Sequence, residues 1–339
     1  MKTENIIKKL KFLTENKIEI LMDVDEPISV STNVDHDGFG SCIRHLPIHI
    51  KQEIVYLLSQ LKSLRKIDLR RSLIGPIDID FTLLSNLEYL DLGSCDIMNV
   101  PETICSLHNL KYLNLAVNKL RKTPENLANL ENLEYLLLHK NKISVFHDEY
   151  ASFNKLKYLN LYLNMYRSIP EQVWNYVTLE TFSWGVSPVA EISDDIGKLK
   201  NLVYFTFVGN RITELPNTFT SLENLRATRL HKNRINELPD DIDMLINLEQ
   251  ITLYQNNIQR LPQNFEKLPK LKKLNLAQNN FPAFPNELIS LSGLEWLAFF
   301  QNKNTIEFPE KTDFELISQR PFTASTGEIK HDVQNLKIM

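Results

Sequence analysis

The sequence predicts an α/β repeat solenoid, in which one unit of strand and return segment is stacked on copies of itself. Three observations predict it. Leu61, Leu84, Leu107, Leu130, Phe153, Tyr176, Leu199, Leu222, Leu245, Leu268 and Leu291 each open the same unit, 23 residues after the last. A period of that length marks a supersecondary unit that cannot bury its apolar face alone and must pack on its neighbours. Within each unit, apolar residues at positions 7 and 9 alternate with polar or variable ones, which is the spacing of a strand. Finally, Asn recurs at position 12 and Pro at position 18 in most copies.

Each part of the unit has a physical reason. In the copy that opens at Leu199, the apolar set is Leu199, Leu202, Phe205, Phe207, Ile212, Leu215 and Phe219. After the strand the chain must turn, run back along the opposite wall and rise one layer. Asn118, Asn141, Asn164, Asn210, Asn233, Asn256, Asn279 and Asn302 stand at that turn. A carboxamide has two donors and an acceptor, so a buried column of them can serve backbone groups freed where the strand ends. Proline fixes φ and gives up a donor, which suits the return segment and excludes a central strand there.

Residues 1–60 lack the period and are expected to cap the first layer, whose apolar face and sheet edge both need cover. Ile6, Leu10 and Leu13 have helical spacing, Ile18 to Met22 can form a strand, and 23–40 reads as a loop or hairpin. Leu46-Pro47 looks like a degenerate copy of the Leu-Pro step, and Ile50 to Leu61 reads as a longer helix. Residues 61–309 hold eleven repeats, and 310–339 form a C-terminal cap and tail. Phe314, Leu316 and Ile317 are expected to close the last layer, and 322–339 to be disordered.

The pattern LxxLxxLxLxxNx[IL]xxLPxx[IF] resembles the 23-residue "LP" class of leucine-rich repeats, over about residues 61 to 309. That resemblance implies a right-handed horseshoe with a parallel sheet on the concave side and short helical or extended segments on the convex side. It implies no chemistry. Extracellular members of the family commonly carry cysteine-paired caps. Here Cys42, Cys95 and Cys105 form no such cluster, so all three are expected to be free thiols in a reducing compartment.

The binding surface is read from columns. Positions 7 and 9 face the core, so positions 6, 8 and 10 are expected to face out of the concave sheet. Position 6 supplies Tyr89, Tyr112, Tyr135, Tyr158 and Tyr204. Position 8 supplies Leu137 and Arg229, and position 10 supplies His139, Tyr162, His231, Tyr254 and Phe300. Tyrosine offers a large contact area at low rotamer cost and keeps a hydroxyl for bonding. These twelve residues are the expected partner-binding set, with Lys66, Asp68, Arg70, Arg71 and Asp91 adding a charged end. Two units depart from the pattern. One has Phe146-His147 in place of Leu-Pro. The other has Ser187-Pro188 in place of Asn and a bulky Trp184 at core position 9, which are expected to be tolerated as repeat decay, the alternative being a local bend that shapes a pocket around Gly185 and Val186.

No glycine-rich phosphate loop, Gly-x-Ser-x-Gly or His-Glu-x-x-His motif occurs, and no cofactor or metal is expected. A formal net charge of −4 disfavours nucleic acid. No apolar run approaches the ~20 residues of a membrane helix, and the N-terminus is too charged for a signal peptide. The expected location is therefore cytoplasmic. The expected function is non-catalytic binding of a protein or peptide. The alternatives are a regulatory scaffold for small-GTPase-type signalling and a bacterial host-interaction effector, both by family analogy.

Overall fold

A computed structural model describes residues 5, 8, 10, 19–21, 28–31, 46–77, 80–291, 293–302, 307, 309 and 314–317. Among them, fourteen strands form one open sheet in strict chain order. β1 (Glu19–Leu21) runs antiparallel to β2 (Ile28–Ser31), and every later pairing is parallel. β3 is Leu64–Asp68, β4 Tyr89–Asp91, β5 Tyr112–Asn114, β6 Tyr135–Leu137 and β7 Tyr158–Asn160. β8 (Thr181–Gly185) and β9 (Tyr204–Val208) are longer. β10 (Ala227–Arg229), β11 (Gln250–Thr252), β12 (Lys273–Asn275), β13 (Trp296–Ala298) and β14 (Glu315–Ile317) complete the sheet. From β3 to β13 the register pairs each residue with the one 23 later, as in Tyr112 with Tyr135 and Leu113 with Leu136.

The opposite wall is built from 3-10 turns such as Glu102–Ser106, Glu125–Asn129 and Asn217–Ser221, each preceded by the position-18 proline at φ near −60°. Proline pre-sets that φ and would have no donor to offer in any case. Between the two walls lies one continuous core, in which Leu113, Leu136, Leu159, Phe182, Phe205, Ile251 and Leu274 are fully buried. Burying such side chains contributes roughly 1.5 to 3 kcal/mol each.

The first layer departs from the others. Its return segment is α1 (Ile48–Ser59), a true α-helix that starts at Pro47 as later turns start at their prolines. Ile54, Leu57 and Leu58 of α1 are buried, so the helix covers the exposed end of the core. The helix expected over Ile50–Leu61 thus spans Ile48–Ser59, and the strand expected over Ile18–Met22 spans Glu19–Leu21. At the other end Phe314 is buried and β14 adds a parallel strand to β13. Cys42, Ile6, Leu13 and the tail 322–339 lie outside the described residues.

The asparagine column bridges layers as expected at Asn118, Asn141, Asn256 and Asn279. Asn118 Oδ1 accepts from the N–H groups of Cys95 and Ile97, while its Nδ2 donates to the carbonyls of Leu92 and Leu115. Asn141, Asn256 and Asn279 repeat the same bridge between layers. Cys95, standing in the Asn slot, gives its thiol hydrogen to Leu69 O, and burial pushes its pKa up to about 12. Cys95 and Cys105 are both free and buried.

Both irregular units are compensated. Phe146 packs edge-on against Tyr150 at 5.0 Å, and Tyr150 donates its hydroxyl to Pro124 O. Trp184 stacks on Tyr166 and donates Nε1–H to Ser187 Oγ at 2.9 Å; that hydroxyl in turn donates to Asn210 Oδ1 at 2.9 Å. A Trp-Ser pair thus replaces the missing carboxamide and carries the column across the gap.

Candidate functional site

The outward sheet face carries a second apolar cluster, separate from the core. Tyr112, Ala116, Leu137 and Tyr158 form its buried part, with Tyr89 and Tyr135 packed against them. Tyr89 and Tyr112 stack at 4.2 Å with planes 7° apart. Tyr112 to Tyr135 and Tyr135 to Tyr158 follow at 6.0 and 6.3 Å. Strands about 4.8 Å apart force rings at the same position into contact.

This corrects one expectation. Leu137, Tyr112 and Tyr158 are 4%, 5% and 9% exposed, so they are packed side chains rather than presented ones. Alternation placed them on the right face, but Tyr112 lies between the rings of Tyr89 and Tyr135, Tyr158 lies against Tyr135, and Leu137 packs in the same cluster. The half-buried part of the face includes Tyr89, Tyr135, Tyr162, Tyr204, Tyr254 and Phe300.

Position 10 forms a second run. The Tyr162 ring lies directly over Gly185: a Cβ there would sit 2.7 Å from Tyr162 Cε2 and closer still to Val208 O. Further along, His231 stacks on Tyr254 at 4.2 Å. Gly185 and Val208 therefore separate His139 and Tyr162 from the stacked pair His231–Tyr254. Both imidazoles are half-buried with Nδ1 unpartnered. Burial, helped by Lys140, pushes the His139 pKa down to about 4; burial, helped by Lys232 and Arg229, does the same at His231. Both rings are neutral at pH 7.

The charged end is also more closed than its sequence suggests. Asp68 and Asp91 are buried, and Arg70 grips Asp68 through Nε and Nη2. Asp91 accepts from Gly93 N–H and Asn114 Nδ2, yet burial and the nearby Asp68 carboxylate push its pKa up to about 6. Lys66 Nζ sits 4.6 Å above the Tyr89 ring, a cation–π contact that ties this end to the tyrosine ladder.

Two columns were missed by sequence reasoning. Asn86, Asn109, Asn132, Asn201, Asn224 and Asn247, all at position 3, each donate to a carbonyl 24 residues earlier at 2.8 to 3.1 Å. Position 5 carries charges of alternating sign. Both were visible once those positions were read down the repeats. Among the described residues, no group of three or more His, Cys, Asp or Glu is placed to hold a metal ion, and no helix is long and apolar enough to cross a membrane.

Comparison with known proteins agrees with this architecture. A leucine rich repeat family model matches residues 223–281, and a second matches 86–107 and 109–130. No curated protein matches the sequence. Among solved structures, a Leptospira interrogans LRR protein superposes with TM-score 0.68 at 28% identity, covering 74% of this chain and 64% of that one. The chain thus spans less than two thirds of that protein. An internalin, InlF, from Listeria monocytogenes gives TM-score 0.61 at 19% identity over 94% of this chain and 90% of its own. The plant peptide hormone receptor RGFR1, in complex with RGF2, gives 0.54 at 22% over 76% and 49%. The last two show the fold alone. The 23-residue register, the asparagine column and these matches together make the chain a leucine-rich repeat protein.

Proposed function

We propose that the chain is a non-catalytic binding module that takes a protein or peptide on its concave face. The observation that carries this is the separate aromatic cluster on that face. A solvent-facing sheet needs no such cluster for folding, because the core lies on the other side. Aromatic rings held rigid by stacking give a partner a pre-ordered surface and lose little entropy on contact. The neutral His139 and His231 add unpartnered ring nitrogens in the next columns, so hydrogen bonding is available beside the apolar contact. RGFR1 supplies a precedent for a peptide held by this fold.

Between the finer alternatives, similarity at 28% identity to a Leptospira protein favours a bacterial setting over a small-GTPase scaffold. The test uses the accessible rings. A Y135A/Y162A/Y254A variant, which leaves the buried Tyr112 and Tyr158 in place, is compared with wild type in affinity capture followed by measured affinity for the captured partner. Binding at least tenfold weaker in the folded variant supports the concave site. Equal affinity refutes it.

A further inference from the structure

The net charge of −4 hides a segregated surface. Positions 11 and 13 of the six units that open at Leu107 through Leu222 lie on the turn that leaves each strand, along one flank of the stack. These twelve positions hold six cations, five apolar residues and one glycine, and no acid. Lys119, Lys140 and Lys142 make one basic block, and Arg211, Lys232 and Arg234 make another. Between them stand Leu163, Met165, Val186 and Pro188. All six cations are exposed. Lys119 pairs with Asp96, and the other five make no ion pair among the described residues.

The apolar members stand out in two ways. Val117, Met165 and Val186 are 43%, 58% and 47% exposed. Position 11 is left-handed throughout, and Val117, Leu163 and Val186 hold φ at 57°, 55° and 58°. A β-branched residue there is strained, and a strained residue that the fold does not require points to a role at the surface. Where the centre meets the second block, Val186 and Pro188, with Asn210, Arg211, Asn233 and Arg234, line an open cavity of about 430 Å³. Asn233 is 8% exposed and its Oδ1 has no partner, unlike Asn118, Asn141, Asn256 and Asn279 in the same column.

We propose that this flank is a second binding surface, distinct from the concave face, for a protein segment with an aliphatic centre and acidic residues at both ends. The blocks fix its length: Lys142 and Arg211 lie three layers apart, roughly 14 Å at ~4.8 Å per layer, which an extended chain covers in about four residues. The flank also fixes its width. Exposed Glu191, Glu214 and Glu237 form a row three positions further along in the units that open at Tyr176, Leu199 and Leu222, so an anionic membrane or a nucleic-acid duplex would meet carboxylates beside the second block. The centre is aliphatic, with no ring on which a base could stack, so it suits an aliphatic side chain better than single-stranded nucleic acid.

The test is fluorescence anisotropy with a labelled peptide of about eight residues, two glutamates at each end and a leucine-valine centre of about four. The comparison probes are the same peptide with lysines for glutamates, vesicles containing phosphatidylserine, and single-stranded RNA. Wild type is expected to bind the acidic peptide alone, about tenfold more weakly in high salt than in low. R211E/R234E and K140E/K142E, all at exposed positions, should each weaken binding about tenfold, V186D should weaken it too, and Y135A/Y162A/Y254A should leave it unchanged. The last variant separates this surface from the concave one. Absence of peptide binding, affinity indifferent to both charge reversals, or capture of vesicles or RNA in place of the peptide would each overturn the proposal.

Discussion

Lys157 Nζ donates to Glu134 Oε2 at 2.7 Å, joining two residues 23 apart in the chain across one layer of the stack. The pair belongs to a column at position 5: Arg65, Glu88, Lys111, Glu134, Lys157 and Glu180 alternate in sign, then Val203 interrupts, then Arg226, Glu249, Lys272 and Glu295 alternate again. Glu88 is held by both Arg65 and Lys111. A layer stacked one unit out of place would bring like charges together, so the column favours the correct neighbour. E134K should place three cations in a row and lower stability by about 1 kcal/mol, since each exposed pair is worth about 0.2 to 1. Urea denaturation at low salt reads the shift, and high salt should shrink it. A loss that ignores salt would mean the column does not act through charge.

The Trp-Ser substitute for the missing asparagine makes a double-mutant prediction. S187A leaves Trp184 Nε1–H and Asn210 Oδ1 without their shared hydroxyl, which should cost about 1 to 3 kcal/mol. W184L alone should cost a similar amount through the cavity it leaves. W184L/S187N rebuilds the regular unit and should recover much of that loss, so the two changes should couple favourably. Additive losses would show that the pair acts as two independent packing residues.

The core and the asparagine column were legible because every layer repeats one environment, so a position in the unit fixes burial. Phe205, Ile251 and Leu274 sit where their spacing placed them. The outward face was less legible. Strand alternation assigned Leu137 and Tyr112 to the correct side, but their burial comes from neighbours 23 residues away, which periodicity along one unit does not register. The Asp68–Arg70 contact is missed for the same reason: charge in a sequence suggests exposure, while the structure buries Asp68 and leaves Arg70 half-buried against it. The basic flank escaped because the count over the whole chain averaged it against acids elsewhere.

The left-handed turn at position 11 offers a stability test that also bears on the flank. Gly209 adopts φ 69° without strain, while Val186 holds φ 58° with a β-branched side chain. V186G should stabilise the protein by about 0.5 to 1 kcal/mol, because the relieved αL cost exceeds the added chain entropy. G209A should destabilise by a similar amount, with a new Cβ 3.4 Å from Val186 Cγ2. Thermal melts of the two variants decide it. If V186G is destabilising, the valine is held by packing rather than strained by its backbone.

Two kinds of buried group on the concave face pull stability in opposite directions with pH. Asp91 has its pKa raised from 3.8 to about 6 by burial and by Asp68. A group raised in the folded state stabilises fully below its unfolded pKa, and that stabilisation is lost as pH rises through about 6. His139 and His231 are lowered from 6.5 to about 4, so their contribution is present above 6.5 and is lost as pH falls toward 4. D91N removes the first effect alone. Relative to wild type it should be more favourable at pH 7 than at pH 4 by about 2 to 3 kcal/mol, since each tenfold change in proton affinity is worth ~1.4 kcal/mol. The carboxamide keeps an oxygen for Gly93 N–H and Asn114 Nδ2, so the fold should hold. The imidazoles are followed separately by NMR of their ring protons, which should stay in the neutral position at pH 6 and move only near pH 4. A D91N offset that is the same at both pH values would show that Asp91 titrates as an ordinary carboxylate. Imidazoles titrating near 6.5 would show that the position-10 column is open to water.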